Sequence, residues 1–145
     1  MKLTKKIGLL AVVFIIVVPV AIAAAKHKKN APVTDISGWW DGTYQITSPQ
    51  SCKGIGGSWV ANATQTGTKF TGNYVSDLVT GSVSGKYKDS RNFIWTVNGN
   101  GIITFKGKVT NPTTVSGHIT SRAKCPGTHK KMQGSFVGTK EPTDE

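Results

Sequence analysis

The chain has 145 residues, of which 18 are Lys or Arg and 7 are Asp or Glu, so its formal net charge is +11 at pH 7. This length provides for one domain with a single core and excludes a second one of ordinary size. The basic excess favours an anionic partner, such as a polysaccharide, phospholipid head groups, nucleic acid or an acidic protein. It would also keep a small protein soluble, and this simpler explanation stays open.

Residues 1–25 have the plan of an export signal. Three lysines precede an apolar run over residues 7–18, and Pro19 and a series of small residues follow it. This order predicts a signal peptide that is cleaved after Ala23 or Ala25. The alternative is an uncleaved membrane anchor, because residues 7–25 carry no charge and approach the roughly 20 residues that span a bilayer. We therefore expect a secreted, periplasmic or cell-envelope protein or, if the anchor is retained, a membrane-anchored one with its domain outside the cytoplasm.

Residues 26–35 are interpreted as a linker, residues 36–140 as a β domain and residues 141–145 as an acidic tail. Alternating apolar and polar residues between turn residues indicate eight short strands. In chain order they cover residues 39–46, 58–65, 69–75, 79–87, 92–97, 102–109, 114–120 and 132–139. In six of them a glycine lies two residues from bulky apolar residues, as in Trp40-Gly42-Tyr44. Since side chains alternate between faces, this pattern is typical of the inner wall of a small barrel. We expect an all-β fold, an eight-stranded antiparallel up-and-down β-barrel.

The two cysteines provide an independent test of this topology. Cys52 lies in the loop after the first predicted strand and Cys125 in the loop before the last. These strands are neighbours where an up-and-down barrel closes, and their two loops lie at the same end. We therefore predict one disulfide between them. A metal site formed by Cys125 with His129 or His118 is a weaker alternative because it lacks a fourth ligand, and we expect no metal and no cofactor.

Several segments follow one another in a familiar order. Gly38-Trp39-Trp40 opens the first strand, followed by FTGNYVS at 70–76, VSGKYKDS at 83–90, WTV at 95–97 and FKG at 105–107. In order and approximate spacing they resemble strands one and three to six of the avidin and streptavidin family, calycin barrels related to the lipocalins. The resemblance implies a barrel that holds a small ligand inside its wall, with Tyr74 and Ser76 matching two polar contacts of that family.

Other positions depart from the avidin pattern. Gly42 stands at the position of the family's asparagine in strand one, Gly99 at that of its tryptophan after strand five, and Ile103 at that of its strand-six hydroxyl. No carboxylate matches the aspartate of the last strand. A buried urea-like head group loses roughly 1 to 3 kcal/mol for each hydrogen bond that is not made. Biotin binding is therefore not expected.

Catalytic chemistry is not expected either. Of the three histidines, one lies in the linker, His118 faces outward by strand parity, and His129 lies in a basic loop. The acidic residues of the predicted barrel are Asp41, Asp77 and Asp89, which are too few and too scattered to form an acid and base pair. We predict a protein that is not an enzyme.

The inward-facing positions of the predicted strands are almost all apolar and include no charge. They comprise Trp40, Tyr44, Ile46, Trp59, Phe70, Tyr74, Val83, Phe93, Trp95, Val97, Ile103, Phe105, Val109, Val115, Ile119, Met132 and Phe136. This set suits either a filled core or an apolar pocket, and eight strands enclose just enough space for either. If there is a pocket, we expect its ligand to contact Tyr74, Ser76, Trp40, Trp95 and Phe105.

Basic residues gather in the loops predicted at the cysteine end. Lys53 follows Cys52, and the last loop with its flanks contains Arg122, Lys124, Lys130 and Lys131. These five residues are predicted to form an anion-binding rim at the mouth of the barrel; the alternative is a solvated loop. Basic residues also occur elsewhere, at Lys86, Lys88, Arg91, Lys106 and Lys108. Sequence-specific nucleic-acid binding is not expected, because outward aromatic residues for stacking are scarce.

Two functional hypotheses follow. The first is an exported β-barrel binding module for an anionic or amphipathic small ligand. The alternative is a solid-core interaction protein, such as an inhibitor or a surface-adhesion factor, that docks a partner through disulfide-tethered basic loops. A small ligand or an anionic polymer is the expected partner, and a membrane is expected only if the N-terminal segment is not cleaved. A void inside the barrel favours the first hypothesis and a packed interior favours the second.

Overall fold

The structure of the protein, a computed structural model, describes residues 32–142. The predicted signal segment and the last three residues of the predicted tail lie outside the described residues. Eight strands follow one another along the chain, with one 3₁₀ turn at Gln50–Cys52. The strands are β1 (Gly38–Ser48), β2 (Gly56–Thr66), β3 (Lys69–Ser76), β4 (Thr80–Tyr87), β5 (Asn92–Gly99), β6 (Ile102–Asn111), β7 (Thr114–Lys124) and β8 (Lys131–Lys140).

Each strand pairs with the next, and β8 pairs with β1, so that the sheet closes into a barrel with all neighbours antiparallel. The predicted up-and-down topology is confirmed. The loops β1–β2, β3–β4, β5–β6 and β7–β8 lie at one end, which we call the disulfide end. The other loops lie at the opposite end, where the chain enters β1, and we call this the N-terminal end.

Seven of the eight strands are one to four residues longer than predicted and β4 is one residue shorter, and the differences at β4 and β7 have a clear structural cause. β4 begins at Thr80 rather than at residue 79, because Val79 lies buried in the β3–β4 turn and its carbonyl accepts the amide hydrogen of Ser76 at 3.0 Å. β7 continues to Lys124, because the β7–β8 ladder resumes after an irregularity and pairs Lys124 with Lys131. In both places the hydrogen-bond and ladder partners, and not the local sequence pattern, decide where the strand begins or ends.

The barrel interior is filled with side chains. Every predicted inward residue is buried. Rings from other strands lie over four of the wall glycines, Gly42, Gly85, Gly107 and Gly138: a Cβ on Gly42 would lie 2.6 Å from the indole of Trp59, and one on Gly107 would lie 2.9 Å from the ring of Phe136. The alternation of large residues with glycine therefore makes room for aromatic rings inside the barrel.

Trp95 lies at the centre of these rings. Its centroid is 5.2 Å from that of Phe105, 5.6 Å from that of Phe93 and 5.9 Å from that of Trp59. Tilted and edge-to-face pairs of this kind add about 0.5 to 1.5 kcal/mol each to the stability that burial of their area provides.

Residues 34–37 close the N-terminal end. Ile36 is buried, its amide donates to the side chain of Gln65 at 2.9 Å, and its carbonyl accepts the indole hydrogen of Trp40 at 2.8 Å. The hydroxyl of Tyr87 donates to the carbonyl of Thr34 at 2.8 Å. The segment that enters β1 is therefore attached to the barrel from Thr34 onward, within the stretch interpreted above as a linker. No helix among residues 32–142 combines the length and the apolar character needed to cross a membrane.

Candidate functional site

A disulfide joins two loops at the disulfide end. Cys52 and Cys125 are bonded, with their Cα atoms 5.9 Å apart, and both residues are buried. The bond connects the loop after β1 to the loop before β8, across the seam where the barrel closes, as the sequence predicted. It is compatible with an oxidising extracellular compartment. Because Cys125 is bonded, its thiolate is not available as a ligand for the alternative metal site. No three His, Cys, Asp or Glu residues cluster as metal ligands within the described range 32–142.

The basic residues predicted for the mouth lie on these joined loops and their flanking strands. We call the set the rim; its members are Lys53, Arg122, Lys124, Lys130 and Lys131, and all five are exposed. Lys53 follows Cys52 and Lys124 precedes Cys125, so the disulfide brings their backbones together. Lys124 is also the direct ladder partner of Lys131. Like charges that face each other across strands destabilise a sheet, by roughly 0.2 to 1 kcal/mol, until an anion compensates them.

Hydrogen bonds within the two loops hold the backbone of the rim. In the β7–β8 loop the carbonyl of Cys125 accepts the amide and the hydroxyl hydrogens of Thr128, and the carbonyl of Lys130 accepts the amide hydrogen of Cys125. In the β1–β2 loop the carbonyl of Ile55 accepts the amide hydrogen of Ile46 at 2.7 Å. The rim is thus presented on loops with a defined conformation.

One apolar side chain lies among the rim loops. Ile55 belongs to the β1–β2 loop, two residues after Lys53, and 42% of its surface is exposed. Its amide donates to the carbonyl of Cys52, which places it beside the disulfide. We did not identify Ile55 from the sequence; the available signal was a β-branched apolar residue between two glycines, outside any alternating pattern.

The structure brings together four of the five predicted ligand contacts, since the Ser76 side chain is hydrogen-bonded to Tyr74, and places Trp40 apart from them. Tyr74 lies 5.3 Å from Phe105 between ring centroids, and Phe105 lies 5.2 Å from Trp95. Trp40 lies nearer the N-terminal end, where its indole is bonded to the entering segment. The hydroxyl of Ser76 is engaged in the β3–β4 turn, where it accepts the amide hydrogen of Val79 at 3.3 Å.

Two further polar side chains flank the mouth. The hydroxyl of Tyr44 and a carboxylate oxygen of Asp77 would lie 3.0 Å and 3.2 Å from a Cβ on Gly57. Burial, with a smaller contribution from Asp77, raises the pKa of Tyr44. Burial also raises the pKa of Tyr74 well above its ordinary value. Neither Tyr44 nor Asp77 was predicted as a site residue, because their proximity depends on how β1, β2 and the β3–β4 turn meet.

Among the described residues, Trp95 has an indole N–H that is buried without a hydrogen-bond partner. The indoles of Trp40 and Trp59 instead donate to backbone carbonyls, of Ile36 at 2.8 Å and of Thr43 at 3.3 Å. Aromatic rings surround Trp95, so its environment is apolar on the sides where those contacts lie.

No protein-family model and no curated protein sequence matches the chain. Its eight-stranded antiparallel barrel is consistent with a calycin-like fold.

Proposed function

We propose that this protein is an exported interaction module, an avidin-like or lipocalin-like barrel with a solid core that docks an acidic protein partner through the rim. The observation that carries the proposal is the contact of aromatic rings across the barrel, exemplified by Trp95 of β5 against Trp59 of β2 and Phe136 of β8. A barrel whose inner volume is taken up in this way meets its partner with its outer surface. An inhibitor or a surface-adhesion factor acts in this manner.

The packing of the candidate ligand contacts supports this choice over a small ligand inside the barrel. Tyr74 stacks on Trp59 with centroids 5.8 Å apart, and Trp95 and Phe105 contact each other and Phe136. A ligand at these residues would have to displace rings that are 0 to 2% exposed. Well-packed interiors resist such a displacement because each lost contact forfeits dispersion energy and leaves a void.

The composition of the rim supports an acidic protein as the partner. Protein interfaces typically combine apolar side chains at the centre with charged ones around them, and Ile55 supplies the apolar contact beside Lys53 and Lys124. Complementary charge increases the association rate and selects the partner. The disulfide and the loop hydrogen bonds reduce the ordering cost of binding, because the loops already have a defined conformation.

Site-specific photo-cross-linking in cells that export the protein tests the proposal. A photoreactive amino acid replaces Ile55 in one variant and Val75 in the control; Val75 is 54% exposed and lies on the outer wall of β3. We expect one acidic protein to be cross-linked from position 55 and not from position 75, and expect K124E/K130E/K131E to abolish that product. Equal products from both positions, or a small molecule that co-purifies with the protein and is released only on unfolding, would overturn the proposal.

A further inference from the structure

A groove crosses the outer wall of the barrel, away from the rim. Its volume is about 460 Å³, and it lies over β5, β6 and β7. On β6, Lys106 pairs with His118 of β7, and Lys108 pairs with Ser116. Gly107 lies between the two lysines. We call this feature the wall groove; its charged and titratable lining residues are Lys88, Asp89, Lys106, Lys108 and His118.

The register of the sheet extends the basic character of the groove around the barrel. Lys69 pairs with Lys86 across β3 and β4, Lys86 with Ile94 on β5, Ile94 with Lys106 on β6, and Lys106 with His118 on β7. Four of these five positions are basic residues, and all four are exposed. At about 4.8 Å between neighbouring strands, the row extends over roughly 19 Å of the curved wall. A linear ligand that crosses the strands would therefore meet the lysines of β3, β4 and β6 in succession.

The one carboxylate that lines the groove is held by three hydrogen bonds from residues that follow it at the β4–β5 turn. Asp89 accepts hydrogen bonds from the Asn92 side chain at 2.8 Å, from the Asn92 amide at 2.8 Å and from the Arg91 amide at 2.9 Å. These hydrogen bonds lower the pKa of Asp89 to about 2. Its charge supports the β4–β5 turn and attracts Lys108, while Lys88, Lys106 and Lys108 are exposed.

We propose that the wall groove binds a linear sulfated polysaccharide that runs across β4 to β7. Lysine ammonium groups are compact charges that attract sulfate oxygens, and the pairing of cations across strands is unfavourable until an anion lies over them. Single-stranded nucleic acid would be expected to stack on exposed aromatic rings. Within residues 32–142 the exposed large aromatic side chain is Trp39, which lies on β1. This site is separate from the rim and does not depend on the proposed protein partner.

Heparin is the probe, and the whole exported protein is used. The wall variant K88E/K106E/K108E and the rim variant K124E/K130E/K131E change the net charge equally, and all six lysines are exposed. We expect the wall variant to lose roughly tenfold or more of the heparin affinity and to bind with a shallower salt dependence, because fewer counterions are released. The heparin affinity of the rim variant should fall less than about threefold, because the changed charges lie away from the wall groove and their effect there is screened by salt.

Two further measurements make the outcome specific. In backbone amide NMR spectra, a sulfated oligosaccharide should shift the signals of Gly107 and Gly117 and leave the signal of Gly127 in the β7–β8 loop unchanged. Heparin stripped of sulfate should shift none of these three signals. Equal affinity losses in the two variants, a greater loss in the rim variant, or equally tight binding of single-stranded DNA would overturn the proposal. A greater loss in the rim variant would favour the anion-binding rim expected from the sequence. The wall variant should retain the cross-link from position 55, so the two proposals fail independently.

Discussion

The indole of Trp59 lies over Gly42, so that a Cβ on this glycine would fall 2.6 Å from two of the ring atoms. Gly42 pairs with Gly138 across the seam between β1 and β8, and Gly138 faces the same ring. The barrel thus closes around a tryptophan of β2 where both seam strands lack a side chain. Closure of the seam at this level therefore requires residues without a side chain on both strands.

Substitution of Gly42 by Ala should destabilise the barrel by about 1 to 3 kcal/mol, because the added methyl group meets the backbone carbonyl of Val137 on β8 and overpacks the Trp59 site. Gly101→Ala is the matched control, since a Cβ there would have only Val79 near it, at 3.8 Å. Urea unfolding gives the free energy of unfolding of both variants. An equal loss for the two glycines would show that backbone effects dominate and that the space over Gly42 is not critical.

Removal of the disulfide should lower the stability by roughly 4 kcal/mol in the chain-entropy model, because Cys52 and Cys125 are separated by 73 residues. The variant is Cys52→Ala combined with Cys125→Ala, and urea unfolding compares it with the oxidised protein. Thiol titration of the unreduced, unfolded protein provides the control and should detect no free thiol. A free thiol there, or a variant as stable as the oxidised protein, would contradict this assignment.

Trp95→Phe should destabilise the protein less than Trp59→Phe, although both substitutions remove the same atoms. The indole hydrogen of Trp59 donates to the carbonyl of Thr43, whereas that of Trp95 has no partner among the described residues. We expect a difference of about 1 kcal/mol in the free energy of unfolding, the net value of one hydrogen bond. A loss at Trp95 that equals or exceeds the loss at Trp59 would indicate that the N–H of Trp95 makes a stabilising contact.

The stability of the barrel should fall at alkaline pH. Burial raises the pKa of Tyr87 to about 12 and also raises the pKa of Tyr74 and of Tyr44. The folded protein therefore holds these protons more tightly than the unfolded chain, whose tyrosines titrate near pH 10. The resulting stabilisation is complete below about pH 10 and is lost as the pH rises through 12. Tyrosinate absorbance follows the titration of these tyrosines, and urea unfolding at several pH values gives the free energy of unfolding. In a Tyr87→Phe variant this free energy should fall less steeply with rising pH.

Strand alternation was sufficient to predict most of the fold. Residues such as Ile103 and Phe105 alternate with Thr104 and Lys106, and this pattern alone assigns the inner and outer faces of β6. Cysteines in the first and last loops then indicated which strands meet at the seam. The rim was predictable for the same reason, because topology places those loops at one end whatever the details of packing.

The remaining features depend on contacts between strands that are distant in the sequence. The basic row that extends the wall groove requires that Lys86, Lys106 and His118 fall in line, and this alignment is decided by the relative register of four strands. The exposure of Ile55 depends on how the β1–β2 loop turns back toward Cys52. Alternation has a period of two residues and fixes faces, but it does not decide which residues of two strands become partners.

By itself, the sequence determined the strands, their inner and outer faces, the disulfide and the basic character of the rim, because each follows from local patterning and chain order. Only the tertiary structure decided that the interior is filled. Large residues alternating with Gly42, Gly107 or Gly138 are compatible with a cavity or with rings from other strands. Rings of Trp59 and Phe93 lie over glycines of the neighbouring strands. Trp95 of β5 meets Trp59 of β2 and Phe136 of β8, since a closed barrel brings opposite walls within reach of an aromatic side chain.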